Sequence, residues 1–331
     1  MSHYQPTLSV RQTQKAIKFI RDTFQYEFGK VMHLERISAP LFVSTESGLN
    51  DHLSGIERPV SFKALKVENT TLEVVQSLAK WKRFVLKKYG FQNGEGLYTN
   101  MNAIRRDEIP DATHSFYVDQ WDWERAIPKE NRCKDYLEET VRSIFKVIKH
   151  MEHEVWYKYP QAVCPLANEV HFLDSQELFD LYPKLSAKER EKEITRRYGC
   201  VFIERIGDTL KGSNEPHDQR AADYDDWQLN GDLFFWLPQL EQALELSSMG
   251  IRVDEHSLLS QCESSHCCEK LKMPYHQMIL HQELPYSIGG GIGQSRLCML
   301  LLNKAHIGEV QASYWPEEIL KECDRQNIPL L

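Results

Sequence analysis

No apolar run in the 331 residues approaches membrane-spanning length, and Met1-Ser2-His3-Tyr4 opens no secretory hydrophobic segment. A cytoplasmic protein without a membrane partner is therefore expected. The eight cysteines lack the regular spacing of a disulfide framework, which fits reduced thiols in that compartment. Positive charge is in deficit: 40 Lys and Arg against 48 Asp and Glu leave a formal net charge of −8. That balance disfavours a general nucleic-acid binder, which a phosphate backbone would repel, while leaving room for a local basic patch. Internal repeats, low-complexity tracts and Gly/Ser linkers are also missing, so composition marks no boundary and residues 1–331 read as a single domain. What remains is ordinary globular material, 41% hydrophobic and 27% charged, long enough to bury a large core.

The chain carries clear periodicities. Ala16, Ile17, Ile20, Phe24 and Phe28 recur at helical spacing, as do Leu137, Val141, Ile144, Phe145, Ile148 and Met151 within a helix expected over Asp135 to Trp156. A further helix is expected from Leu72 to Tyr89, stopped by Gly90. Ser175 to Leu181 and Ser186 to Tyr198 follow, the latter with Ser186 and Glu189 as a capping box and Gly199 as its stop. Gly96 to Arg105 and His114 to Trp123 read as an antiparallel hairpin with a polar tip. Short strands are expected at Val201 to Ile206, Leu233 to Leu237 and Leu244 to Val253. Because strands follow one another rather than alternating with helices, the expected class is α+β, an antiparallel sheet flanked by helices.

Four regions hold residues suited to chemistry. Gly289, Gly290, Gly291 and Gly293, followed by Arg296, form a glycine run that is either a tight turn or a close-approach ligand loop. It lacks the Lys-Ser/Thr of a Walker loop, and Arg296 stands where a dinucleotide fingerprint needs a small residue. The apolar run Leu297 to Leu302 after it reads as a buried helix. Arg105-Arg106-Asp107-Glu108 at the hairpin tip is either a phosphate clamp or a solvated turn. Arg220, Asp223, Asp225, Asp226 and Asp232 are either Mg²⁺ ligands or a polar loop. In Glu245 to Arg252, simple alternation pairs Glu245 with Ser247 and Ser248 with Arg252, so a bulge is required for all to meet one ligand. His306-Ile307-Gly308 reads as a turn after the last core helix, and Cys262-x3-His266-Cys267-Cys268 fits zinc spacing poorly.

Ser38-Ala39-Pro40, Arg105-x-Asp107-Glu108 and Gly291 to Arg296 resemble the three motifs of class II aminoacyl-tRNA synthetase catalytic cores. Longer stretches resemble ammonia-dependent asparagine synthetase, the aspartate–ammonia ligase family. They include Asp51-His52-Leu53-Ser54-Gly55, Ser77 to Arg83, Gly94 to Thr99, Tyr117 to Arg125, Asp223 to Trp227, Glu245 to Arg252 and Gly289 to Arg296, in order and end to end. The resemblance implies a homodimer on a class II synthetase-like core, converting L-aspartate, ammonia and ATP to asparagine, AMP and pyrophosphate through β-aspartyl-adenylate.

It further implies that Asp51, Ser77, Lys80, Gln120 and Asp122 line the aspartate pocket. Arg105, Arg220, Asp225, Asp232, Glu245, Ser248, Arg252, Gly293 and Arg296 would serve the nucleotide, with Asp232 and Glu245 as Mg²⁺ ligands. Lys80, Arg105 and Gln120 are the expected catalytic groups: Lys80 for the substrate carboxylate, Arg105 for the α-phosphate. No cysteine follows Met1, so no glutaminase half is expected and free ammonia is the nitrogen source. Two rivals stand beside this reading: an aspartyl- or asparaginyl-tRNA synthetase relative, and a synthetase-like regulator without activity.

Overall fold

The computed structural model describes residues 4–51, 53, 57–67 and 69–331. Helix α1 (Val10–Met32) starts at a Ser9–Gln12 capping box and ends on His33 in the left-handed region. It leads to β1 (Leu34–Arg36), then to β2 (Phe42–Ser44), β3 (Ser61–Phe62) and β4 (Leu72–Val74), with Ser38-Ala39-Pro40 bridging β1 and β2. Helix α2 (Ala79–Tyr89) begins only after Ser77, whose hydroxyl accepts from the Ala79 amide. The helix expected from Leu72 is thus shorter. Leu72–Val74 is drawn instead into a small sheet of order β2-β4-β3, where strand pairing outweighs helical periodicity.

The hairpin of β5 (Gly96–Ile104) and β6 (Tyr117–Ala126) precedes the long helix α3 (Lys134–Lys158). Next come β7 (His171–Asp174), α4 (Ser175–Leu181), α5 (Ala187–Tyr198), β8 (Cys200–Glu204), β9 (Asp225–Leu237) and β10 (Gln242–Arg252). The Ser186–Glu189 capping box is formed, and Gly199 caps the end of α5. Helices α6 (Glu255–Ser264) and α7 (Pro274–Leu280), strand β11 (Ser287–Gly293), then α8 (Gln294–Leu301) and α9 (Glu317–Gln326) complete the chain.

Among the described residues, eight strands form one sheet of order β1-β5-β6-β11-β10-β9-β8-β7. The six inner strands run antiparallel to their neighbours; β1 and β7 add parallel edges on β5 and β8. Strand β11, although late in sequence, pairs at the centre with β6 and β10.

One face of this sheet is covered by α1, α3 and α8 around a single large apolar core. Alternation along β6 sorts its residues: Trp121 and Trp123 enter that core beside Phe24 and Phe28, with ring centroids 4.5 and 6.1 Å apart. Gln120, Asp122 and Glu124 point to the other face. There α2 packs over β5 and β6 through Leu78, Val85 and Leu86. No described helix is long and apolar enough to cross a membrane.

Candidate active site

Two adjoining cavities open on the polar face of the sheet, with Arg105, Gln120, Glu245, Ser248 and Gly291 lining both. The first continues past His114, Gly293 and Arg296; the second past Asp51, Ser77, Lys82, Asp122, Arg220 and Arg252. Arg105 leaves the end of β5 at their junction, anchored by its Nη2 donating to the Gln76 carbonyl at 3.0 Å.

The glycine run is neither turn nor loop. Gly289, Gly290, Gly291 and Gly293 lie in β11, all with negative φ, so conformational freedom is not why they are glycines. Space is the reason. A Cβ at Gly289 would fall within the Glu124 carboxylate and 2.6 Å from Arg252 Nη2; one at Gly291 would sit 2.5 Å from Gln120 Oε1 and 2.9 Å from Asp122 Oδ1. The bare strand lets carboxylates and amides of β6 reach over it into the cleft. The β10 register shifts between Glu245 and Ser247, the kind of bulge needed to bring residues of both faces to one cleft, and both Glu245 and Ser248 line the two cavities.

Charge in the second cavity is paired within the protein. Arg252 donates through Nε and Nη2 to Glu124 at 2.7–3.1 Å and through Nη1 to Asp225. Ser287 donates to the same Glu124 at 2.7 Å. Lys82 Nζ sits 3.0 Å from Asp122 Oδ2 and donates to the Gly290 carbonyl at 2.9 Å. Burial lowers the Lys82 ammonium below its ordinary range, and Asp122 only partly restores it. Burial also raises the Asp225 carboxyl, with Arg252 pulling the other way. Arg220 bridges Asp218 and Asp232. Burial, with Glu245 nearby, lifts Asp232 to about 6 despite Arg220, and its Oδ1 has no partner among the described residues.

A chain of this geometry has known relatives. Residues 11–327 match the family described as aspartate-ammonia ligase. The chain belongs to that family. Aspartate–ammonia ligases of Ligilactobacillus salivarius and Limosilactobacillus reuteri are 61% and 58% identical to it over 329 and 328 residues, covering 99% of this chain and 98% of each relative. The fold is that of class II aminoacyl-tRNA synthetases. Asparaginyl-tRNA synthetase from Pyrococcus horikoshii, complexed with asparaginyl-adenylate, superposes with a TM-score of 0.66 at 12% identity, covering 92% of this chain and 70% of that one. The Entamoeba histolytica enzyme, also with asparaginyl-adenylate, gives 0.60 at 14%, covering 91% and 66%.

Within this member of the aspartate–ammonia ligase family, the cleft gathers Asp51, Ser77, Gln120, Asp122, Arg105, Arg220, Asp225, Glu245, Ser248, Arg252, Gly293 and Arg296 along its walls. Asp232 lines neither cavity but lies beside Ser248, its partner in the β9–β10 register. Lys80 is the exception among the residues expected to line the aspartate pocket: it lines neither cavity. Its Nζ turns into the interior and meets Asp223 Oδ2 at 2.5 Å. Two residues on, the helix has rotated so that Lys82 takes the wall position. Two residues escaped the sequence reading. Lys82 gave no signal without the true start of α2. Glu124 did: it extends Gln120 and Asp122 at the i, i+2, i+4 spacing of one strand face. His52, Ser54 and Gly55 of the first family stretch lie outside the described residues.

Proposed function

We propose that this protein is an ATP-driven ligase that amidates L-aspartate with ammonia, as a single catalytic domain over residues 1–331. A carboxylate is a poor electrophile, so its β-oxygen must first bond to the α-phosphorus of ATP, with pyrophosphate leaving. Ammonia then attacks the acyl carbon, AMP departs with the carboxylate oxygen, and the nitrogen loses its proton to yield asparagine. The observation that carries this reading is Arg105 where the cavities meet, in a chain about 60% identical end to end to aspartate–ammonia ligases. Two anions must approach there, and a fixed guanidinium offsets their repulsion without reorganising.

Asp51 and Asp122 supply acceptors for the substrate ammonium, and Asp122 Oδ1 has no partner among the described residues. Lys82 and Gln120 face the substrate carboxylates, with Ser77 beside Asp51. Arg296 and the Gly293 backbone border the nucleotide end, where a planar guanidinium also suits stacking on a base. Arg220, Asp225, Ser248 and Arg252 hold the wall between. Asp232 and Glu245 would hold Mg²⁺, a hard cation that takes oxygen ligands: Asp232 Oδ1 is buried without a hydrogen-bond partner among the described residues, and Glu245 lies close enough to perturb it. When bound, that ion would neutralise phosphate charge. On this reading the enzyme acts in the cytoplasm, without nucleic acid, as a homodimer; the open edge of β1 and exposed Tyr26 and Val31 of α1 are its candidate contact face.

The test uses purified protein with ATP, MgCl₂, ammonium and L-aspartate labelled with ¹⁸O in its side-chain carboxylate. Asparagine and ¹⁸O-AMP in equal amounts, without tRNA, are expected. ADP instead of AMP, or product only when tRNA is added, would overturn the proposal.

A further inference from the structure

Behind the amino-acid cavity lies a cluster that the proposed chemistry does not use. Asp223 is fully buried and receives Lys80 Nζ at 2.5 Å, while His276 Nε2, also fully buried, lies 2.8 Å from the same oxygen. Lys80 reaches on to the carbonyl of Asn50 at 3.5 Å, next to Asp51. Among the described residues neither Asp223 Oδ1 nor His276 Nδ1 has a partner. Three elements meet there: α2 carries Lys80, the segment before β9 carries Asp223, and α7 carries His276. Lys270, in the turn before α7, approaches Asp223 at 3.9 Å.

We propose that Lys80, Asp223 and His276 form a positioning bracket that fixes an ammonium beside Asp51 and keeps that carboxylate anionic toward a cationic group in the cavity. Desolvation creates the need for it. Asp51 is only 2% exposed, and a carboxylate so buried prefers to be neutral unless a cation compensates it. The groups facing it are Lys80 from α2, Arg105 from the end of β5, and Asp223 and Tyr224 from the segment before β9. Burial pushes the Asp51 carboxyl up, Lys80 is the strongest opposing influence, and Asp223 adds to the rise. A free lysine side chain would swing toward the cavity or solvent. Asp223 prevents that, and burial, which alone would raise Asp223, is outweighed by Lys80, His276 and Lys270. His276 locks Asp223 from the far side.

The bracket rests on the ligase reading only for the identity of the cation: the α-ammonium of aspartate or the incoming ammonium. Its test needs no turnover. Protein carrying ¹³Cγ-aspartate is titrated by NMR, the Asp51 signal being the one lost in Asp51→Asn. Lys80→Gln keeps a donor for Asp223 but removes the charge, and should move the Asp51 midpoint up by about one pH unit or more. Lys80→Arg should restore it. His276→Phe should shift it the same way by less, and His276→Gln hardly at all. An unchanged Asp51 midpoint in folded Lys80→Gln overturns the bracket. Should Lys80→Gln not fold, the His276 pair decides: no shift in either variant, or equal shifts in both, overturns it.

In the active enzyme, the acid limb of kcat/KM should move up for aspartate or for ammonium, identifying the cation. A loss equal at every pH would mark a merely structural role and also overturn the proposal. Failure of the wild-type protein to make asparagine would refute the ligase reading and leave the NMR result standing.

Discussion

Arg252, Arg220 and Lys82, around the second cavity, are each held by buried carboxylates of the chain itself, whereas Arg296, at the other end of the cleft, donates to the Glu245 carbonyl at 2.7 Å, stays 3.9 Å from the partly exposed Glu245 carboxylate and leaves 23% of its side chain in solvent. A buried pair can be weak as a net source of stability yet costly to break, because removing one partner strands the other's charge away from water. The paired end is therefore a fixed mould whose cost is met during folding, before any ligand arrives. The open end holds its charge by a looser pair and leaves it partly in water.

Breaking the mould should produce the largest effect. Arg252→Met leaves Glu124 and Asp225 buried without their cation, and a stability loss of about 3–5 kcal/mol is expected in urea unfolding. A loss below about 1 kcal/mol would mean the pairs at this end are not integral to the fold. At the junction, Arg105→Ala should lower kcat by roughly 10²–10³-fold while the melting temperature barely moves. Turnover within a factor of three of wild type would remove Arg105 from the chemistry.

A smaller effect lies just beyond the cleft. His306, 5% exposed, accepts from the Gly308 amide through Nδ1 at 3.0 Å, and burial holds its imidazole near pH 4 despite Asp111. Its folded value is depressed, so the unfolded chain takes up the proton first as pH falls. Its contribution is therefore complete above about pH 6.5 and is lost between there and 4, up to about 3 kcal/mol. His306→Asn keeps an acceptor for the Gly308 amide and should flatten that part of the stability profile. An unchanged slope would show that the imidazole is not its source. Smallest of all, Arg296→Ala should raise the KM for ATP about tenfold with stability altered by less than about 1 kcal/mol, as for a partly exposed charge. A large fall in stability would show that the open end is also part of the frame.

Local signals in the sequence were reliable where one element decided its own shape. Helix α1, the Ser186 cap and the β5–β6 hairpin are all set by neighbouring residues. Legibility failed where distant segments compete. Val74 reads equally well on a helix or a strand until β2 and β3 offer pairing partners, and with the start of α2 misplaced, the sequence does not show that Lys82 rather than Lys80 reaches the cavity wall. The glycines of β11 look like a loop because what they avoid, Glu124 and Arg252, stands 165 and 37 residues earlier than Gly289. Most of the residues that line the cleft lie in the stretches that carry the family resemblance. The direction each side chain faces was not legible there.

The position of β11 also bears on how the protein is made. Strands β6 and β10 cannot close the sheet until residues 287–293, which follow both of them in the chain, leave the ribosome. Until then both present unpaired edges, and pairing across such a separation is slow. A polypeptide cut short after β10 should thus be inert and prone to aggregate, which makes the C-terminal segment the checkpoint for a finished molecule.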